Sequence, residues 1–290
     1  MNYAQLRAFH AVASAGGFSR AARALHVTQP TLSGQVKELE AAHGVRLFDR
    51  RGRRVEPTEL GAALLAITRR YFSLESEAEQ LLAAARGLKS GHLRIGADAP
   101  YHVMAALAAF NRKHPGVRTS LSIGNSAELL RDLLEHRCDI AVLADVPGDG
   151  RLHTRLLRRD RLIAFVPRAH PWAKRRRLRP RDFAQARMIL REPGSTTRRL
   201  FEAAMAAAGV TLLDALEIGS REAVREAVAA GLGVGVVSSA EFMADPRLKP
   251  LAIDGPAIDS SEYVVCLAER RELLMIRAFL EVIGPVRPDK

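Results

Sequence analysis

The chain has 290 residues, 48% of them hydrophobic, which is length and composition enough for two soluble domains with cores of their own. Lys and Arg outnumber Asp and Glu by 44 to 32, for a formal charge of +12. An excess of this kind favours polyanions without proving them. Residues 151–200 alone hold sixteen Arg or Lys against three acids, so the N-terminal quarter is not its main source.

Taken in order, Tyr3 to Ala15 is predicted as a helix with Leu6, Phe9, Val12 and Ala13 inward. Phe18, Ala21, Ala22 and Leu25 then fall at i, i+3, i+4 and i+7, the stripe of a small packed helix. After a tight turn at His26-Val27-Thr28, a second helix buries Leu32, Val36 and Leu39, and Pro30 sits in its first turn, where a missing N–H costs nothing. The opposite face carries Pro30, Ser33, Gly34 and Lys37, with the Gln29 amide at the leading end. It is slim and polar enough for a major groove. A plain helical hairpin with a solvated face has the same periodicity. The company of the stretch decides: Val45 to Phe48 reads as a short apolar strand, followed by Arg50, Arg51, Arg53 and Arg54 around Gly52 and a return strand to Thr58. Together these predict a winged helix-turn-helix over residues 1–57.

Thr58 then caps a long helix. Leu60, Leu64, Ile67, Tyr71, Leu74, Ala78, Leu81 and Ala85 step alternately by four and three, an unbroken heptad register. A helix lying on its own domain is the bland reading; the narrow stripe favours a dimer seam. Residues 58–89 form this linker, and its heptad stretch would reach roughly 40 Å at about 1.5 Å per residue.

From His92 strands alternate with helices, which predicts a mostly parallel α/β domain over 90–290. Its length and the returning chain suit two Rossmann-like lobes around a cleft, as in periplasmic binding proteins: lobe I about 90–160 and 267–290, lobe II about 161–266. Ligands of such sheets bind beyond the carboxyl ends of strands, near helix N-termini. The richest candidate loop is Ser195-Thr196-Thr197-Arg198, where free N–H groups, three hydroxyls and an arginine meet as an anion cradle; plain N-capping needs one hydroxyl. Asp98 caps the helix opening at Pro100 or faces an ammonium group. Asn125 and Ser126 are as well read as caps as ligands, and Tyr101 and His102 as cleft walls.

Cys138 and Cys266 have no CxxC partner and no nearby His cluster, so no metal or other cofactor is expected, and two isolated thiols suit a reducing cytoplasm. The first seven residues have no apolar signal core. The longest uncharged apolar run, Ala227 to Ala240, is shorter than the roughly 20 residues of a membrane span, and no membrane contact is expected. There is no G-x-S-x-G elbow, no phosphate-binding loop and no metal spacing, which argues against an enzyme.

Leu6-Arg7-Ala8-Phe9, Phe18-Ser19-Arg20-Ala21-Ala22, Leu25 through Ser33, Leu39-Glu40, Gly44 through Arg50 and Thr58-Glu59-Leu60-Gly61 resemble the LysR-type transcriptional regulators, without a gap over some sixty residues. The resemblance extends less sharply over the second half. There Gly91 through His102, Ser122 through Ser126, Leu190 through Ser195 and Glu217 through Val224 are similar to the subgroup associated with aminoethylphosphonate catabolism. The expectation is a DNA-binding transcriptional regulator controlled by a small anion, 2-aminoethylphosphonate or a close catabolite. The alternatives are an amino or organic acid as effector and, more distantly, a solute-binding protein. Gln29, Pro30, Thr31 and Ser33 are placed at base edges, with Ser19, Arg20, Lys37, Arg51, Arg53 and Arg54 on phosphate or in the minor groove. Asp98, Tyr101, His102, Asn125, Ser126, Ser195, Thr196, Thr197 and Arg198 are placed around the effector, with Asp98 on its ammonium end. Leu60, Leu64, Ile67, Tyr71, Leu74 and Leu81 would pair two chains over an inverted repeat. The resemblance implies a dimer of such dimers, so the partners are double-stranded DNA, the effector and further copies of the chain, as homodimer or homotetramer.

Overall fold

The computed structural model describes residues 1–51, 54–84, 90–146 and 148–284, and the chain divides into two compact units, Met1–Leu82 and Ala83–Lys290.

In the first unit, α1 (Tyr3–Ala15) opens on a capping box between Asn2 and Gln5. It is followed by α2 (Phe18–Leu25) and α3 (Gln29–His43). His26, at φ 55°, makes the turn, and the Thr28 hydroxyl accepts the Thr31 N–H to start α3. The hairpin is β1 (Phe48–Arg51) with β2 (Arg54–Pro57), antiparallel. The expected strand at Val45–Phe48 is therefore displaced. The Leu47 and Phe48 N–H groups donate to Glu40 Oε1 at 2.8 and 3.3 Å, so the segment leans on α3 before pairing begins. Gly52 and Arg53 lie outside the described residues.

α4 (Glu59–Ala84) starts where the Thr58 hydroxyl accepts the Gly61 N–H at 3.0 Å. Gly61 is needed there, since a Cβ would stand 2.1 Å from the Leu47 carbonyl oxygen. One face of α4 lies on its own unit. Leu65 and Thr68 are buried, Thr68 meets the His10 ring nitrogen at 3.0 Å, and Phe72 packs on Tyr3 and His10. Leu64 also packs on this core, which removes it from the expected seam. The remaining expected seam residues stand out: Leu60, Ile67, Tyr71, Leu74 and Leu81 are 46–75% exposed.

The second unit has two lobes. β3 (Gly91–Ala97), α5 (Met104–Lys113), β4 (Val117–Ile123), α6 (Ser126–Leu134), β5 (Ile140–Ala144) and β6 (Leu152–Arg158) build the first. β7 (Leu162–Pro167), β8 (Arg177–Leu178), β9 (Arg187–Arg191), α7 (Thr196–Ala207), β10 (Asp214–Ile218), α8 (Arg221–Ala229), β11 (Val234–Ser238) and β12 (Leu248–Ile253) build the second. The chain then returns to lobe I as β13 (Glu262–Leu267) and α9 (Leu274–Ile283). The sheet orders are β4-β3-β5-β13-β6 and β10-β9-β11-β7-β12-β8. Apolar clusters cover both faces of each sheet, one under α5 and α9, one under α6, one under α7 and one under α8. The expected lobe limit at about 266–267 needs correction, because all of β13 lies in the first sheet. It runs antiparallel to β5 and β6 because the chain re-enters from the opposite direction. In lobe II, β11 and β12 likewise run antiparallel to β7, so the sheets are mixed rather than mostly parallel.

Candidate functional site

On the first unit, Gln29, Pro30, Thr31 and Lys37 are exposed along one side of α3 and Ser33 is half-buried between them. No atom comes within 4 Å of where a Gly34 Cβ would point, so this face is open. The Ser19 hydroxyl donates to Gln29 Oε1 at 2.9 Å, which leaves the Gln29 NH2 facing outward as a donor. Arg20 reaches back to the Gly16 carbonyl at 2.6 Å and is held at the edge of the face. Arg51 and Arg54 are paired in register at the end of the hairpin.

In the second unit, two helix N-termini converge between the lobes. α6 is capped by Asn125, whose side chain accepts the Glu128 N–H, while Glu128 returns to the Asn125 N–H. Asn125 is thus a cap, and it also lines the inter-lobe cavity. α7 begins at Ser195, which is buried and makes no side-chain cap bond, so its hydroxyl is not spent on the helix. The lobes touch here: the Ala127 N–H donates to the Gly194 carbonyl at 3.3 Å, and the Thr196 hydroxyl to the Ala144 carbonyl at 3.3 Å. Gly194, at φ +95°, must be glycine, since a Cβ would stand 2.7 Å from Asn125 Oδ1.

Asp98, Asn125, Ser126, Ser195, Thr196 and Thr197 line one small cavity between the lobes. Arg191, Arg221, Glu241 and Ser260 complete its wall. Asp98 does not cap a helix, and one of its two carboxylate oxygens is engaged. Its Oδ2 accepts from the Ser126 hydroxyl at 2.8 Å and the Ala144 N–H at 2.9 Å, which tie three segments of lobe I together. Arg198 is not in the cavity. Its guanidinium is bonded to Glu202, Glu217 and the Arg191 carbonyl, and it lines an adjoining groove that shares Ser126, Ala144, Ser195 and Thr196 with the cavity.

The cations that face the cavity are Arg191 and Arg221, which the sequence reading missed. Arg221 donates to the Asp98 carbonyl at 2.8 Å across the lobes, and its Nε lies 2.9 Å from Glu241 Oε2. Arg191 holds Glu192 with two bonds of 2.7 and 2.8 Å. Burial pushes the Glu192 carboxyl up, but the bonds from Arg191 outweigh it and hold it below the usual glutamate range.

Behind the cavity lies an acid cluster. His102 Nε2 is 3.5 Å from Glu241 Oε1 and 4.0 Å from Glu262 Oε2, with its side chain 8% exposed, so His102 is packed behind the cleft and does not wall it. Glu262 is pushed well above the usual range by burial first, then by Asp98 and Glu241, with Arg221 opposing. Asp98 Oδ1 and Glu262 Oε1 are buried without a donor. Tyr101 is 41% exposed at the rim of an adjoining chamber. Arg221 follows the Ser220 cap at the start of α8, whereas nothing local marks Glu241 or Glu262.

Among the described residues, no helix is long and apolar enough to cross a membrane. Residues 3–62 match the bacterial regulatory helix-turn-helix protein family, lysR type, and residues 86–286 match the LysR substrate binding domain. The chain is 33% identical over 286 residues to the transcriptional regulator CbbR of Xanthobacter flavus, covering 96% of this chain and 86% of that one. It is 30% identical over 284 residues to the transcriptional activator CmpR of a Synechocystis strain, covering 96% and 93%. In structure it is similar to the CcmR regulatory domain of Synechocystis in complex with 2-PG, at 27% identity and TM-score 0.62, over 67% of this chain and 96% of that one. The helix-turn-helix unit and the two-lobed domain are therefore those of a DNA-binding transcriptional regulator, not an enzyme, and the chain belongs to the LysR family.

Proposed function

We propose that the inter-lobe cavity takes a small anion bearing a phosphoryl or carboxylate group, and that its binding controls how paired α3 helices sit on an inverted repeat in promoter DNA in the cytoplasm. The observation that carries this is the meeting of the α6 and α7 N-termini around one cavity, with the unspent Ser195 hydroxyl and two guanidiniums on its wall. Helix N-termini and arginine are the groups proteins use for such anions. Arg221 and Arg191 replace Arg198 as the charge partners. On the DNA side, Gln29, Pro30, Thr31 and Ser33 are read as base contacts and Ser19, Arg20 and Lys37 as phosphate contacts. The exposed apolar side chains of α4 are read as the seam between two chains.

Two finer readings of the effector share this cradle. The resemblance to the aminoethylphosphonate subgroup favours 2-aminoethylphosphonate, while the likeness to CcmR favours 2-PG. Asp98 spends Oδ2 on Ser126 and Ala144, so Oδ1 alone remains for an ammonium group. Calorimetry on the full chain with 2-PG, 2-aminoethylphosphonate and simple carboxylates separates them. Heat from any of these, lost in Arg221→Met, supports the cradle. Silence from all, with gel retardation of promoter DNA unchanged by each, overturns the anionic effector.

A further inference from the structure

The cavity does not end at the two guanidiniums. Arg191, Thr197, Arg221 and Glu241 also line the entrance of a second chamber within lobe II, about 500 Å³ including its open mouth. Its lining is mainly apolar, with Glu222 and Arg225 as further charged members. Phe165 from β7, Val224 from α8 and Val236 from β11 form the floor, and all three are buried. Phe242 tilts over Phe165 with ring centroids 5.8 Å apart. The rim carries two large apolar side chains left to solvent, Met243 on lobe II at 49% and Tyr101 on lobe I at 41%. Exposed apolar groups on both sides of an apolar chamber are what a ligand tail would cover.

Resting on the anion reading above, we infer that the effector is an amphipathic anion whose phosphoryl or carboxylate head lies between Arg191 and Arg221 and whose compact hydrocarbon or aromatic tail fills this chamber. A hydroxylated or ammonium tail would lose more water there than it regains, because the exposed lining is mainly apolar and Glu222 and Arg225 are its further polar groups. A hydrocarbon tail gains by leaving water, and it brings Tyr101 down onto lobe II, which favours the closed lobes.

The test is an affinity series on the full chain with methyl-, propyl-, butyl- and phenylphosphonate, with 2-aminoethylphosphonate as polar control. A neutral probe, 4-fluorobenzyl alcohol, is followed in parallel by fluorine NMR line broadening. Affinity is expected to rise about fourfold for each methylene, with phenylphosphonate tighter than methylphosphonate. In Met243→Glu the dependence on chain length should flatten while methylphosphonate binding stays. Equal affinity along the series would overturn the chamber and leave the anion cradle standing. Binding of the neutral probe alone, abolished in Met243→Glu, would keep the chamber and overturn the cradle. Binding of neither class overturns both.

Discussion

Arg221→Met should be among the most destabilising changes in the second unit. The Arg221 and Glu241 side chains are 15% and 4% exposed, and Nε lies 2.9 Å from Oε2. The contact is close but poorly aligned, since Glu241 Oε2 has no hydrogen-bond partner. The attraction is therefore chiefly Coulombic, roughly 5–6 kcal/mol at an effective dielectric of about 20 before desolvation. Methionine fills much of the space but leaves Glu241 charged and buried, next to His102 and a cluster that already carries Asp98 and Glu262. Breaking a buried pair from one side costs about 3–5 kcal/mol. The Arg221 bond to the Asp98 carbonyl, which ties lobe to lobe, is lost with it. For a domain of this size each kcal/mol moves the midpoint by about 2–4 °C, so a fall of roughly 6–20 °C is expected. Removing the partner charge as well should repair most of this, because Arg221→Met with Glu241→Gln leaves no unpaired ion. Calorimetric melting of wild type, both single variants and the double variant closes the cycle. An Arg221→Met midpoint within about 2 °C of wild type, or strict additivity in the double variant, would refute the claim that this pair holds the cleft together.

Glu262 sets an expected pH dependence. Its folded pKa is raised, so its contribution to stability is full below the ordinary glutamate range and is lost as pH rises through the raised value. Glu262→Gln should flatten that part of the urea-midpoint profile, and an unchanged slope would count against a buried proton. On α4, Ile67→Glu with Leu74→Glu should convert dimer to monomer in sedimentation, because both side chains point outward at 63% exposure. Leu64→Glu should instead lower the melting point of the first unit, since it packs on that unit's core. On DNA, Gln29→Ala should weaken the cognate site more than random sequence. Lys37→Ala should weaken both alike and reduce the salt slope by about one, as gel retardation at several salt concentrations would register.

How far the molecule could be read in advance follows from the range of the forces involved. The helices of the first unit were legible because their signals are local: Thr28 before Pro30, the stripe Leu32-Val36-Leu39, and His26 at the turn all act within one helical turn. The strands hardest to read from sequence have weak local grammar. β6 reads Leu-His-Thr-Arg-Leu-Leu-Arg, too polar to look like a strand, and β12 carries Pro250 in its middle. Each is held by pairing with a distant strand, β6 with β13 and β12 with β7.

The cleft divides the same way. The loops around Asp98, Asn125 and Ser195 were found from their caps and glycines, which are neighbours in sequence. Roles within those loops were misread where a long-range bond decides them. Asp98 has the composition of a ligand-facing acid, yet its Oδ2 is engaged by Ser126 and Ala144, and Arg198 has the position of an anion ligand, yet Glu217 draws it aside. Arg221 becomes a cleft residue only by reaching Asp98, 123 residues earlier in the chain. A site assembled between two lobes is specified by which charged groups remain after such partners have been matched. That remainder depends on the folded arrangement, so the cleft's outline can be read from sequence well before its chemistry can.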